Sequence, residues 1–80
     1  MIELRRVDPS RNMRRFYRLD VQADLFGGVR LVRQWGRIGA EGQRRAAWYA
    51  TSPEALVTLE LHVRQKLRRG YIKRTSSDDR

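Results

Sequence analysis

Between Tyr17 and Leu25 the chain alternates without a break: Tyr17, Leu19, Val21, Ala23 and Leu25 interleave with Arg18, Asp20, Gln22 and Asp24. A period of two over this length describes a strand with one wet face. Gly27-Gly28 follows, and then Val29-Arg30-Leu31-Val32, again rich in β-formers. A Gly-Gly step between two strand patterns predicts a hairpin. That hairpin constrains the fold more than any other feature, because it decides which residues share a face. With Gly27 and Gly28 as the two loop residues, Phe26 faces Val29. Tyr17 then faces Ile38, Leu19 faces Gly36, Val21 faces Gln34 and Ala23 faces Val32, all on the apolar face. Arg18 faces Arg37, Asp20 faces Trp35 and Gln22 faces Arg33 on the polar face. This register sends Trp35, Arg37, Arg33 and Arg18 together to the side away from the core. It also leaves Phe26, Val29 and Leu31 on the polar face near the hairpin, as a small apolar patch covered by the N-terminal strand or by a partner. A slip of one residue reverses the faces.

The remaining elements follow from local signals. Ile2 to Val7 reads as a short strand closed by the turn cluster Asp8-Pro9-Ser10, and Arg11 to Arg15 is a basic lead-in to the long strand. After a turn through Ala40-Glu41 and Gly42-Gln43, Arg44 to Ala50 reads as a strand. It puts Arg45, Ala47 and Tyr49 on one side and Arg44, Ala46 and Trp48 on the other. Thr51 with Glu54 fits a capping box, and Ser52-Pro53 fits a helix start. Leu56, Leu59, Val63 and Leu67 recur at helical spacing as the expected buried stripe. Arg68 and Arg69 suit a helix C-terminus, with Gly70 as its cap. Tyr71-Ile72 adds a last short strand or packs back on the core. The expected architecture is α+β, an antiparallel sheet of four to five strands with one helix packed across one face. The expected domain is 1–72, with 73–80 a disordered polar tail.

Length and composition narrow the function classes. Eighty residues make one small domain, which buries only about 60–65% of its extended surface. Without Cys, neither a disulfide framework nor a thiolate zinc site can form, and a single histidine, His62, cannot build a histidine metal cluster. No nucleophile–His–acid set and no phosphate-cradling Gly loop opening a helix is present. The expectation is therefore a non-enzymatic module without a cofactor. No apolar run reaches membrane-spanning length, and Glu3 and Arg5 stand where a signal peptide is apolar. A cytoplasmic protein is expected, associated with the nucleoid if it binds DNA.

Charge points to the partner. Lys and Arg total 18 against 9 Asp and Glu, for a net charge of +9. Only Lys66 and Lys73 are Lys; all other cations are Arg. Arg enrichment favours bidentate contacts to phosphate. A genome rich in G and C would explain Arg over Lys, but not the excess of cation over anion. A polyanion is the favoured partner, ahead of an anionic membrane or an acidic protein.

Trp35-Gly36-Arg37-Ile38-Gly39 concentrates the recognition chemistry. On a strand Trp35 and Arg37 stand side by side, one a flat stacking surface and the other a forked cation. The five residues alone also allow a core Trp beside a solvated Arg. Together with Phe16-Tyr17, Gly42-Gln43, Thr51 with Glu54-Ala55, and Lys66 followed by Gly70-Tyr71, this run resembles a WGR domain over roughly residues 12–71. The closer resemblance is to bacterial proteins that consist of little more than this domain. Arg15 stands where Lys is common in that family, and Tyr49 where Phe is usual.

The resemblance implies an antiparallel sheet with a helix across one face. It also implies a DNA-binding role, since the family is best known as a module of the DNA-dependent poly(ADP-ribose) polymerases. There the motif Trp packs on the sugar of a terminal nucleotide at a break, and the motif Arg also contacts neighbouring domains. Those domains and the catalytic domain have no counterpart in these residues, so polymerase activity does not carry over. The expected nucleic-acid contacts are Trp35 and Arg37, with Arg33, Arg18, Arg14, Arg15, Arg44 and Arg45 as phosphate contacts. DNA is the expected ligand, with RNA and a protein partner docked through the same face as the alternatives. Trp48 is expected to pack, the Lys66 stem to cover apolar surface, and His62 to have no role. Val57 and Leu61 point off the stripe, and the chain is expected to be a monomer or weak homodimer that does not bind membrane.

Overall fold

A computed structural model describes residues 1–74. Strand β1 (Ile2–Asp8) passes through a single 3-10 turn, Pro9–Arg11, into the long β2 (Met13–Ala23). Strands β3 (Val29–Arg37) and β4 (Gln43–Tyr49) follow, then helix α1 (Ser52–Arg68) and the short β5 (Ile72–Arg74). All pairings are antiparallel, in the order β4-β3-β2-β1-β5. The helix lies over β2, β3 and β4 on one face, giving the α+β arrangement expected. Of the basic lead-in, Arg11 ends the 3-10 turn and Asn12 is its left-handed exit, at φ 53°, while Met13–Arg15 are already strand. The boundary expected after Ile72 falls inside β5, which carries Lys73 and Arg74. The rest of the expected tail, 75–80, lies outside the described residues.

The β2–β3 hairpin differs from the sequence expectation. Its loop is five residues, Asp24 to Gly28, rather than two. The Asp24 carboxylate accepts from the Phe26 N–H at 2.9 Å, and its carbonyl accepts from Gly27 N–H at 3.2 Å. An Asp side chain closing on the backbone two residues ahead starts the turn early, and Gly27 at φ 95° and Gly28 at φ 75° complete it. Tyr17 consequently faces Trp35, three residues earlier along β3 than Ile38. Three is odd and side chains alternate, so the whole of β3 turns over relative to β2. Trp35, Arg33, Leu31 and Val29 now share the face of Tyr17, Leu19, Val21 and Ala23. Leu31, expected in an outlying patch, is a core residue at 2% exposure, whereas Phe26 and Leu25 are almost fully exposed at the loop tip.

The core lies between this face and α1. Leu4, Tyr17, Leu19 and Leu31 pack with Leu59 and Tyr71, and Trp35, Val21, Tyr49 and Val63 flank them. The Thr51 hydroxyl accepts from Glu54 N–H at the start of α1, as the capping signal implied, and Gly70 at φ 93° ends it. The buried stripe is rotated from its expected position. Ala55 and Leu59 are buried and His62, Val63 and Lys66 half-buried, while Leu56 and Leu67 are exposed. The turned-over β3 brings Trp35 and Leu31 to the helix side of the sheet.

Without a second helix, the other face of the sheet is covered by its own long side chains. Phe16, 2% exposed, sits there beneath the Arg18 guanidinium, 4.6 Å from the ring centroid. Glu3 accepts from Arg18 at 2.8 Å and Arg74 at 3.3 Å, and from Arg5. Burial works to raise the Glu3 pKa; the hydrogen bonds from Arg18 and Arg5 overcome it and bring it down to about 2. Arginine stems thus serve as the missing layer, with Glu3 tying their heads together.

Candidate nucleic-acid interface

Three strands contribute one Arg each to a single row on the helix side. Arg6 on β1 faces Arg15 on β2, which faces Arg37 on β3. Like charges directly opposed across strands destabilise a sheet, yet the helix adds Lys66 and Arg69 at the same end. A side-chain atom placed at Gly70 would lie 3.4 Å from Arg6 Nε, so Arg6 reaches the helix C-terminus. Among the described residues, none of these cations, nor Arg33, makes an ion pair.

Behind the arginine row stands an aromatic one. Trp35 directly faces Tyr17, with ring centroids 6.2 Å apart. The Arg33 guanidinium lies over the Trp35 ring at 5.5 Å and donates at 3.4 Å to the Tyr17 hydroxyl. Lys66 Nζ sits over the Tyr17 ring at 4.6 Å and over Tyr71 at 5.4 Å. Between the two rows opens a cleft of about 420 Å³, lined by Arg15, Trp35, Gly36, Arg37, Lys66 and Tyr71 with Phe16 below. Burial lowers the Lys66 pKa, and Arg69, Arg33 and Arg15 lower it further. Burial likewise lowers that of His62, with Arg33 and Lys66 adding to the effect. In both the larger cause is burial, and the neighbouring cations add a smaller contribution of the same sign. An anion would relieve that contribution.

The local backbone explains the motif. Gly36 and Gly42 meet backbone to backbone: a Cβ on Gly36 would lie 2.7 Å from Gly42 Cα, and one on Gly42 would overlap the Trp35 carbonyl. Two glycines are needed for this approach. It folds the β3–β4 turn back against the strand that presents Trp35 and Arg37. Arg37 is exposed and held from below by Asn12, whose carbonyl and side-chain oxygen accept from its guanidinium at 3.5 and 3.4 Å. The left-handed Asn12 at the 3-10 exit is what aims that oxygen at β3.

The structure brings together part of the expected set. Trp35, Arg37, Arg33, Arg15 and Arg45 share the helix side, with Arg33 and Arg45 directly opposed. The expectation that Trp35, Arg37 and Arg33 point away from the helix is overturned, because the odd register shift turns them towards it. Trp35 is half-buried against the core rather than freely exposed. Arg18 is on the opposite face, tied to Glu3 and stacked on Phe16. Arg14 and Arg44 are on that opposite face too, by their pairing with Val7 and Gln34. Lys66 and Tyr71 complete the cleft, with Arg6 and Arg69 nearby, and His62, taken to be without a role, packs with its ring 6.4 Å from Tyr17. Lys66 carried a usable signal: it lies one helical turn beyond His62 and four residues before the cap Gly70. Trp48 packs as expected, its indole flat on Gly28 and its N–H donating to the Gly27 carbonyl at 2.9 Å. A larger groove of about 600 Å³ runs between α1 and the β1–β5 edge. It is mostly apolar and carries Glu60, so it suits a polyanion less well.

Comparisons with known proteins identify the family. The family model for the WGR domain matches residues 1–78. An uncharacterized protein of Sinorhizobium fredii, y4dW, is 42% identical over 71 residues, which cover 89% of this chain. The match covers 35% of that relative, so the chain spans about a third of its length. No solved structure matches significantly.

Proposed function

Because this chain belongs to the WGR domain family, a module commonly linked to nucleic-acid binding, we propose that it binds DNA at strand ends or breaks. The cleft between the arginine row and the Trp35–Tyr17 pair is the binding site. The observation that carries this reading is the Arg6–Arg15–Arg37 row: three cations opposed across the strands, with Asp8 beside Arg6 at one end and no ion pair to Arg15 or Arg37, cost the fold free energy that an anionic ligand returns. The half-buried Trp35 lines the cleft. That geometry admits a terminal sugar or base more readily than the interior of a duplex. Binding, rather than turnover, is the role that these groups support. Among the described residues no helix is long and apolar enough to cross a membrane.

The test is a comparison of matched linear, nicked, closed circular and single-stranded DNA with an RNA duplex. On the order of 4–6 phosphate contacts predicts a slope of about −4 to −5 in log affinity against log salt. Free ends should bind more tightly than closed circles. Equal affinity for circles and ends removes end recognition. Failure to bind any of the nucleic acids at low salt overturns the reading and leaves an acidic protein segment as the occupant of the same row.

A further inference from the structure

Lys66 breaks the chain's own habit. The sequence uses Arg at every other cationic position except Lys73, yet it places an amine in the wall of the cleft. For a phosphate clamp a guanidinium is at least as good, since its planar fork meets two oxygens at once. For lying over Tyr17 and Tyr71 it is also at least as good, being the commoner partner of aromatic faces. What an amine does and a guanidinium does not is attack a carbonyl.

The fold holds that amine in place, against two ring faces that by themselves favour its charged form. Lys66 Nζ lies 4.6 and 5.4 Å from the Tyr17 and Tyr71 centroids, at the wall of the cleft that also holds Trp35, Arg15 and Arg37. The described residues supply it with no carboxylate. Its charged form is disfavoured by burial and by Arg69, Arg33 and Arg15, which raises the fraction of free amine at neutral pH. The cleft volume of about 420 Å³ lies in the range of small-molecule sites. Arg15 and Arg37 flank the space in front of the amine and would hold a phosphate there.

We propose that Lys66 captures an aldehyde-bearing deoxyribose phosphate, the ring-opened sugar of an abasic strand end, as a reversible imine. The Nζ lone pair adds to the C1′ carbonyl carbon, and a proton passes from nitrogen to the carbonyl oxygen. Loss of water then forms the C=N bond, and return of water releases the sugar and the amine unchanged. No oxidant, reductant or metal enters the step. Capture is stoichiometric and reversible, so it extends binding rather than replacing it. The choice of an abasic DNA end as the source of the aldehyde rests on the end-binding reading above; the reactivity of Lys66 does not.

The test separates the two. The protein is incubated at pH 7 with 2-deoxyribose 5-phosphate, the imine is fixed with sodium borohydride, and adducts are mapped by peptide mass spectrometry. Lys73, exposed on β5, is the internal reference. Lys66 is expected to be modified faster than Lys73, the adduct to vanish in Lys66→Arg, and Lys73→Arg to leave it in place. Equal modification of the two lysines, or a faster Lys73, overturns the proposal. Borohydride is then added to the protein with a duplex carrying an abasic end and with an intact duplex, while binding to the intact one is measured separately. A cross-link through Lys66 on the abasic end alone is the supporting result. End binding without a Lys66 adduct refutes capture and spares the DNA reading. A Lys66 adduct with the free sugar phosphate, but no binding to DNA ends, refutes the DNA reading and spares the reactivity.

Discussion

Replacing Arg15 with Gln removes the middle cation of the Arg6–Arg15–Arg37 row and should make the fold more stable. Paired strands lie about 4.8 Å apart, and long side chains splay, so each neighbouring guanidinium is on the order of 7 Å away. At that separation, in a water-like dielectric, each repulsion costs about 0.6 kcal/mol before screening. Two such neighbours, Arg6 and Arg37, give about 1 kcal/mol at 10 mM salt. Screening reduces the total to about 0.5 kcal/mol at 0.15 M and about 0.1 kcal/mol at 1 M. The assay is urea unfolding followed by tryptophan fluorescence at the three salt concentrations. In a domain of this size the low-salt gain corresponds to about 4–8 °C in Tm. Arg30→Gln is the control: Arg30 lies on the other face, between Gln22 and Trp48, and should change stability by less than about 0.5 kcal/mol. The same Arg15 variant should bind DNA more weakly and flatten the salt slope by about 1. A loss of stability at low salt, or a gain that does not change with salt, refutes the argument that this row is held together for an anionic ligand.

Trp35→Ala should cost about 2 kcal/mol of stability, roughly half the cost of emptying a fully buried aromatic site, because Trp35 packs against the core instead of standing free. A thermal melt that moves by less than about 2 °C would contradict that packing. Glu3 is held down to about 2 in the folded chain, against 4.5 ordinarily. Its contribution is therefore complete above pH 4.5 and is lost as pH falls towards 2. Screening by solvent around its half-exposed arginine partners leaves about 1–2 kcal/mol of that effect, and Glu3→Gln should remove this pH dependence from the unfolding curve. For His62 the folded pKa is lowered, so its ring should titrate by NMR below the ordinary midpoint of 6.5. Phosphate or DNA in the cleft should raise that midpoint, and a midpoint indifferent to DNA would place the ligand elsewhere.

The elements themselves were legible in the sequence because each depends on neighbours along the chain. Alternation over Tyr17–Ala23 marks β2, the Thr51–Glu54 cap marks the start of α1, and Gly70 marks its end. The Trp-Gly-Arg motif and the excess of cation over anion were likewise visible without coordinates, and they named Trp35, Arg37, Arg33, Arg18, Arg14, Arg15, Arg44 and Arg45 as candidate contacts, of which Trp35, Arg37, Arg33, Arg15 and Arg45 share one face of the sheet. Which surface they form was settled only by the folded chain. The register of β2 on β3 depends on where the turn closes, and the Asp24 carboxylate closes it three residues earlier than the glycine pair alone implies. An odd shift leaves every strand in place and exchanges the two faces of β3, so it moves Trp35 from open solvent to the edge of the core. It also separates Arg18, Arg14 and Arg44 from the site. Lys66 and Tyr71 join the cleft, and Arg6 the arginine row, through pairings and helix placement that span the chain. No local period encodes such contacts, because strand order and helix packing are set by burial of the whole apolar face at once.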